Sequence, residues 1–403
     1  PGGPTRREGG QGFALARLDV DATGSPLGAA RLFAPMVSID PGEPKSTSGY
    51  GGADEWSAPP AAPLVSVIDT VSEKPLGTPE VPGRHSDDCL LPRAAVVSAE
   101  GTLLLSCLGI DAVLELDARA VDPLRVEHRR FRVPAGPTGI ALDARGHRVA
   151  VWSAFAHEAA LVDLAGGPTL RLPLARRAGS PISAELARGR VLFHAAFDPR
   201  ISKDGRACAS CHPDGREDGL TWSTPNGPRQ TILLAGRVAG SAPYGWFGKN
   251  GSLEEHVTHS LERLGGQGMT LPEHRADFAA LLAYVAALRG PSRAGAAVDP
   301  ARAQLAELGR RLFQDERQGC ATCHLDGGTD RLAHDVQSGN PDEISLRFDT
   351  PSLRFVGDSA PYFHDGRYGT LDELLRKCDG TMGHTAQLGA EERRALEVYL
   401  ESL

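Results

Sequence analysis

The sequence predicts a multidomain chain, with an all-β N-terminal region of blade-like units followed by two tandem, mostly α-helical domains. Three observations predict it. Up to about residue 175, short apolar alternations recur between turn signals. Beyond about residue 180 the apolar spacing becomes helical, and that helical part contains an internal duplication.

The β-type alternations fall at 13–19, 64–69, 94–98, 102–107, 111–116, 138–142, 147–152 and 158–163. Two stretches read as copies of one unit. Residues 92–116 carry Ala94-Ala95-Val96-Val97, a turn at Glu100-Gly101, Leu103-Leu104-Leu105 and then Ala112-Val113-Leu114-Glu115-Leu116. Residues 137–164 carry Gly139-Ile140-Ala141-Leu142, a turn at Arg145-Gly146, Val149-Ala150-Val151-Trp152 and then Ala159-Ala160-Leu161-Val162. Each is strand, tight turn, strand, turn, strand, and the offset of about 45 residues is the period of a propeller blade. This resembles the blades of bacterial YVTN-type β-propellers. The region 1–178 holds only about three or four such units, fewer than a closed ring usually needs, so a partial propeller is expected. The Gly/Pro/Ser-rich stretch 40–62 is predicted to be a long loop.

The duplication in the helical part is explicit. Gly189-Arg190-Val191-Leu192-Phe193 precedes the first cysteine motif, and Gly309-Arg310-Arg311-Leu312-Phe313 precedes the second. Residues 241–255 (SAPYGWFGKNGSLEE) align without gaps to 359–373 (SAPYFHDGRYGTLDE) with eight identities in fifteen. Both segments end in a helix start with a capping box, Ser252 with Glu255 and Thr370 with Glu373. Each copy closes on an amphipathic helix. Phe278, Leu281, Leu282, Val285 and Leu288 mark the first, which ends at Gly290-Pro291; Leu396, Tyr399, Leu400 and Leu403 mark the second. With 290–301 as the linker, the predicted domains are 179–290 and 302–403.

Of seven cysteines, four form two Cys-x-x-Cys-His motifs, Cys208/Cys211/His212 and Cys320/Cys323/His324. Two cysteines three apart lie on one face of a helical turn, where they form thioethers to the two vinyl groups of one porphyrin. The following histidine then reaches the iron. A zinc knuckle or a redox dithiol needs no histidine directly after each second cysteine. Two haem c groups are therefore predicted, and the helical domains read as class I-like cytochrome c domains. Covalent haem belongs to the periplasm or a similar oxidising space, where Cys89 and Cys107 are candidates for a disulfide. Cys378 is left over as an inert buried thiol. The net charge of −8 and pI of about 5.9 argue against nucleic acid or an anionic membrane as partner. No apolar run reaches membrane-spanning length. The opening Pro1-Gly2-Gly3 without Met reads as a mature or trimmed exported chain.

A haem with one histidine either gains a sixth ligand and transfers electrons, or stays open and binds a small ligand. Met382 is the preferred sixth ligand of the second haem. Met269 is the parallel candidate for the first, with His256, His259 and His194 as further candidates; a helical histidine is more often a surface residue.

Residues 180–403 resemble the bacterial di-haem cytochrome c peroxidase and MauG family. The resemblance rests on two haem motifs about 110 residues apart, on Gly227-Pro228-Arg229, and on Pro361-Tyr362-Phe363-His364-Asp365-Gly366. It implies that Met382 ligates the second, electron-accepting haem and that Trp246 stands between the haems. It also implies a calcium ion between the domains, for which the matching loops carry Gln230 and Ser359. The sequence departs from the family pattern on the distal side. Trp222 stands where the peroxidases have a ligating histidine. Gly266 and Gln267 stand near the place of a distal acid, with Glu262 one turn earlier.

The resemblance implies an oxidoreductase that moves electrons between two haems, with peroxide chemistry at the first and a redox partner protein or small electron carrier as partner. The alternative is a non-enzymatic electron-transfer or partner-binding cytochrome with both haems six-coordinate.

Overall fold

The computed structural model describes residues 7–20, 26–43, 59–77, 87–143, 145, 147–175, 182–290, 299–340 and 343–403. Most of the predicted 40–62 loop and of the 290–301 linker lies outside these residues. The chain divides into two compact units, one of residues 1–40, 53–210 and 264–281, the other of residues 41–52, 211–263 and 282–403.

Among the described residues the first unit contains three antiparallel sheets. Strands β1 (Glu8–Gly10), β2 (Ala16–Val20), β3 (Pro26–Ile39), β4 (Ala61–Asp69) and β5 (Lys74–Pro75) form the first, in the order β1-β3-β4-β5 with β2 also on β3. The second is a meander of β6 (Pro92–Val97), β7 (Thr102–Cys107), β8 (Ala112–Asp117) and β9 (Glu127–Arg132). The third repeats it with β10 (Pro137–Leu142), β11 (Arg148–Ser153), β12 (Glu158–Asp163) and β13 (Leu170–Pro173).

The run Leu103-Leu104-Leu105 does not alternate because both faces of β7 are covered. Leu103 and Leu105 pair with Leu116 and Leu114 and join a core with Phe33, Val65 and Val67 of the first sheet. Leu104 and Val113 point the other way, into a core with Val149, Val151, Ala160 and Val162 of the third. The two repeats are four-stranded rather than three-stranded. The fourth strands, β9 (EHRRFR) and β13 (LRLP), are edges, the one charged and the other short and exposed. Arg129 of β9 is held by Glu115 of β8 at 2.6 Å. Cys89 and Cys107 form a disulfide with Cα atoms 5.1 Å apart, inside the first core.

Helix α1 (Ala184–His194) belongs to the same unit and is capped by Ser183, whose hydroxyl accepts from the Leu186 amide. The β11–β12 turn grips it. Arg190 donates to the Ala154 carbonyl at 3.0 Å and its guanidinium lies 4.4 Å from the Phe155 ring, which in turn packs on His194. Gly109 allows a close approach, since a Cβ there would fall 2.8 Å from the Leu90 carbonyl oxygen and from the Ala196 Cβ.

Helix α2 (Cys208–Cys211) carries the first motif, followed by the two-residue strands β14 (Thr221–Trp222) and β15 (Arg229–Gln230) and by helices α3 (Leu253–Arg263) and α4 (Arg275–Ala287). The second copy repeats the order: α5 (Pro300–Gln314), α6 (Cys320–Cys323), β16 (Ala333–His334), β17 (Phe348–Asp349), α7 (Leu371–Lys377) and α8 (Ala390–Ser402). Helices α5 and α8 cross at Gly309, where a Cβ would fall 1.9 Å from the Ala395 carbonyl oxygen, and Phe313 meets Tyr399 at 5.3 Å. Their core includes Leu371, Leu374, Leu375, Leu396 and Leu400, with Met382 and Cys320 packed against it. Among the described residues no helix is long and apolar enough to cross a membrane.

Candidate functional site

Each Cys-x-x-Cys pair occupies a single helical turn, α2 or α6, so spacing alone puts both sulfurs on one side. After each histidine the chain turns sharply through a left-handed aspartate, Asp214 (φ 52°) or Asp326 (φ 49°), and enters the short hairpin. That hairpin returns to the histidine. Nδ1 of His324 lies 3.1 Å from the Pro351 carbonyl, two residues past β17, and 3.4 Å from the Gly328 carbonyl. The equivalent carbonyls in the first copy, Arg216 and Ile232, face His212, whose Nδ1 is buried outside ordinary hydrogen-bond geometry. Burial pushes the His212 ring down to about 4 and lowers that of His324, so both are neutral near pH 7.

This donor set fits haem c. A backbone carbonyl that accepts a hydrogen bond from Nδ1–H fixes the tautomer with Nε2 free, the form in which imidazole ligates a metal. Burial raises the Cys208 thiol to about 12 and the Cys320 thiol to about 11, so both are neutral thiols in the bare polypeptide. Cys323, Asp330 and His334 bring one ligand atom each within 4.8 Å of one another, with His334 Nε2 2.6 Å from Asp330 Oδ2. A thioether at Cys323 would use the sulfur of that group.

Within the first unit, the side chain of Gln11 donates to the Ala209 and Ser210 carbonyls at 3.1 and 2.9 Å, tying the loop after β1 to the first motif. Met269 is fully buried in this unit, on a loop bonded to the Pro199 and Arg200 carbonyls. His194 is buried, with Nδ1 2.8 Å from the Arg190 carbonyl. Among the second-copy residues, Met382 follows α7 on a loop fastened to the motif. The His384 amide donates to the Gln318 carbonyl at 2.9 Å, and a Cβ on Gly383 would lie 3.2 Å from Cys320 Sγ. Cys378 is buried and free, its thiol raised by burial.

Trp246 lies among groups from both copies. Its Nε1 donates to the Gln230 carbonyl of β15 at 3.0 Å, and its own carbonyl accepts from the Asp349 amide of β17 at 2.9 Å. The His364 carbonyl accepts from the Gln230 amide at 2.7 Å, the mirror of that second contact. Sequence reading missed the buried cluster beneath. Arg229 and His364 share Glu343 Oε1 at 2.8 and 3.2 Å, while Phe348 stacks on the His364 ring at 3.9 Å. The Gly-Pro-Arg and His-Asp-Gly motifs were the available signal for it.

Trp222 is buried and its Nε1 donates to Asp218 Oδ2 at 2.8 Å. Burial raises the Asp218 carboxyl to about 6. Gln230 is buried with its side-chain nitrogen unpartnered, and Ser359 is buried against Glu217, whose carboxyl burial raises. A cavity of about 290 Å³ is lined by Tyr244, Trp246, Asn250, His256, His259 and Glu262, among others.

No family model matches the chain. The methylamine utilization protein MauG of Methylorubrum extorquens is 28% identical over 284 residues, 56% of this chain and 79% of the relative. Hydrazine synthase subunit gamma of Kuenenia stuttgartiensis is 27% identical with the same coverage. A cytochrome-c peroxidase, IdrP2, of a Pseudomonas species is 26% identical over 310 residues, 56% of this chain and 82% of the relative.

Over about half its length the chain is similar to proteins of the di-haem peroxidase/MauG type. These relatives support a haem oxidoreductase of the MauG/peroxidase type.

Proposed function

We propose that this is an exported oxidoreductase with two haem c groups. One would be held by Cys208, Cys211 and His212, the other by Cys320, Cys323, His324 and Met382. When bound, haem supplies one-electron chemistry and, where a coordination position is open, a place for a small ligand such as peroxide. The protein's own part follows from its residues. The Pro351 carbonyl holds the proton of His324 Nδ1 and so presents Nε2. Met382 offers a thioether from a loop anchored beside Cys320. Trp246 fills the space between the two hairpins with a polarisable ring fixed at its N–H. A redox partner protein or a small electron carrier would supply or remove electrons.

The observation that carries this reading is the engagement of Trp246 by β15 through its side chain and by β17 through its backbone. The four-stranded meanders support a partial propeller, which would serve as a docking platform. The Cys89–Cys107 disulfide supports export. The calcium ion implied by the resemblance would draw on the loops of Gln230 and Ser359, and Glu217, beside Ser359 and with its buried Oε2 without a hydrogen-bond partner, would add a carboxylate.

The test is an optical and electron-paramagnetic spectrum of the purified holoprotein with and without hydrogen peroxide. Two covalent haems per chain, one high-spin and consumed as a signal by peroxide, are expected. Two low-spin haems indifferent to peroxide would leave an electron carrier.

A further inference from the structure

The duplication supplies an internal control for the first haem pocket. The two copies superpose in their bonding. The Tyr244 amide donates to the Asn250 carbonyl at 2.8 Å, and the Tyr362 amide to the Tyr368 carbonyl at 2.8 Å. The two tyrosine hydroxyls donate to the Val238 and Val356 carbonyls at 3.2 and 3.1 Å. The Gly251 and Gly369 amides donate to Glu255 and Glu373 at 2.8 and 3.0 Å. On that shared frame Asn250, His256 and His259 of the first copy stand where the second has Tyr368, Leu374 and Lys377.

The difference is concentrated in one hydrogen-bonded trio. The Asn250 side-chain amide is a donor at nitrogen and an acceptor at oxygen. Its Nδ2 lies 3.0 Å from His256 Nδ1, and its Oδ1 lies 2.7 Å from His259 Nδ1. His256 Nδ1 must accept, so that ring carries its proton on Nε2. His259 Nδ1 must donate, so the tautomer with its proton on Nδ1 leaves Nε2 as an acceptor. One buried amide therefore sets two imidazoles in opposite tautomers. Both rings line the same cavity of about 290 Å³ with Trp246. His256 is close enough to His212 to act on its charge. Leu374 offers neither function in the second copy, where it is buried in a core that Met382 packs against.

We infer that Asn250, His256 and His259 form the ligand-orienting site of the first haem pocket, in which His256 Nε2–H donates to a small protic ligand of the peroxide class and His259 Nε2 accepts from it. This rests on the di-haem reading above. It gives the first copy the distal acid-base pair absent from the positions of Trp222, Gly266 and Gln267. His256 and His259 act as positioning groups for a proton on the ligand. A role as a mere helix clasp would not need two rings of opposite tautomer lining one cavity.

The experiment uses the holoprotein and its His256→Leu, His256→Gln and His259→Gln variants, with cyanide as the probe. Hydrocyanic acid must surrender a proton as it binds ferric haem, and the bound anion accepts a hydrogen bond. Cyanide association is expected to slow about 100-fold in His256→Leu and in His259→Gln, the scale of a lost acid-base group. Partial recovery is expected in His256→Gln, and an unchanged ferric spin state in all three. His259 is exposed, so its variant keeps the test intact if His256→Leu folds poorly. Association rates equal to those of the parent overturn the inference. So does conversion of a low-spin first haem to high-spin in His256→Leu, which would make His256 an iron ligand. Fewer than two covalent haems per chain, by mass, would instead sink the underlying reading.

Discussion

Trp246 and His364 occupy the same position in the two copies and meet edge to face, with ring centroids 6.4 Å apart and planes at 72°. Each backbone carbonyl accepts from the other copy's hairpin, Trp246 from Asp349 and His364 from Gln230. The duplication thus closes on itself with these two rings at its centre. The tryptophan also ties its side chain to the first-copy hairpin, through Nε1 and the Gln230 carbonyl, while the His364 ring meets Glu343 and Phe348 of the second-copy hairpin.

Trp246→Phe keeps a ring but deletes that N–H. It leaves a carbonyl without its partner, at a cost of about 1–3 kcal/mol. It also removes the indole from between the β14–β15 and β16–β17 hairpins. Electron exchange between the haems, followed by stopped-flow reduction, is expected to slow while both optical spectra stay unchanged. An exchange rate equal to that of the parent would show that electrons take another route.

Met382→Ala should convert the second haem alone to high-spin, because the thioether is lost while the loop stays anchored through His384 and Gln318. Truncating this half-buried side chain should also cost about 2 kcal/mol, read by thermal melting. A second haem whose spectrum ignores the substitution would reassign the sixth ligand.

Some of this was legible in the sequence and some was not, for reasons visible in particular residues. The capping boxes were local, and Ser252 and Thr370 cap as the pattern implies, with hydroxyls accepting from Glu255 and Glu373 amides at 3.1 Å. The glutamate side chains, however, reach one residue further back, to Gly251 and Gly369. Strands β9 and β13 were invisible because an edge strand with solvent on one side need not alternate, and Arg129, Arg130 and Arg132 look like a loop. The Arg229–Glu343–His364 cluster joins residues 114 and 21 positions apart in the chain, and no period signals that. Asn250 drew no notice because an asparagine in a turn before a helix is ordinary; its effect on His256 and His259 exists only in the folded geometry.

Glu343→Gln should be among the most damaging single changes in the second unit. Arg229 and Glu343 side chains are 6% and 1% exposed and 2.8 Å apart. Removing one charge leaves the other buried, which costs about 3–5 kcal/mol. The double variant Arg229→Met/Glu343→Gln should recover part of that loss, since no bare charge remains. Denaturant unfolding of the single and double variants measures this, and a double variant as weak as the sum of its singles would mean the two groups are not coupled.

Reduction of Cys89–Cys107 should destabilise the first unit without touching the haems. The bridge closes a loop with a sequence separation of 18, for which the chain-entropy model gives about 3 kcal/mol. Cys89→Ala/Cys107→Ala should melt earlier with an unchanged haem spectrum; a melting curve equal to that of the parent would show that the surrounding core of Phe33, Val65 and Leu103 carries that region alone.

Asp349 gives the protein a pH dependence of definite sign. Burial and the nearby Asp330 push its carboxyl up to about 7 from 3.8, and its Oδ1 is buried without a partner. The folded state therefore binds this proton more tightly than the unfolded state does. Its contribution is fully present below about pH 4 and is lost as pH rises through about 7, because the unfolded chain ionises freely and the folded one resists. Asp349→Asn removes the ionisation while keeping the shape and the backbone amide that binds Trp246. The variant should melt higher than the parent at pH 8, with the gap shrinking steadily toward pH 4. Equal melting temperatures at pH 8 would mean the Asp349 carboxylate finds solvent or a cation once it ionises.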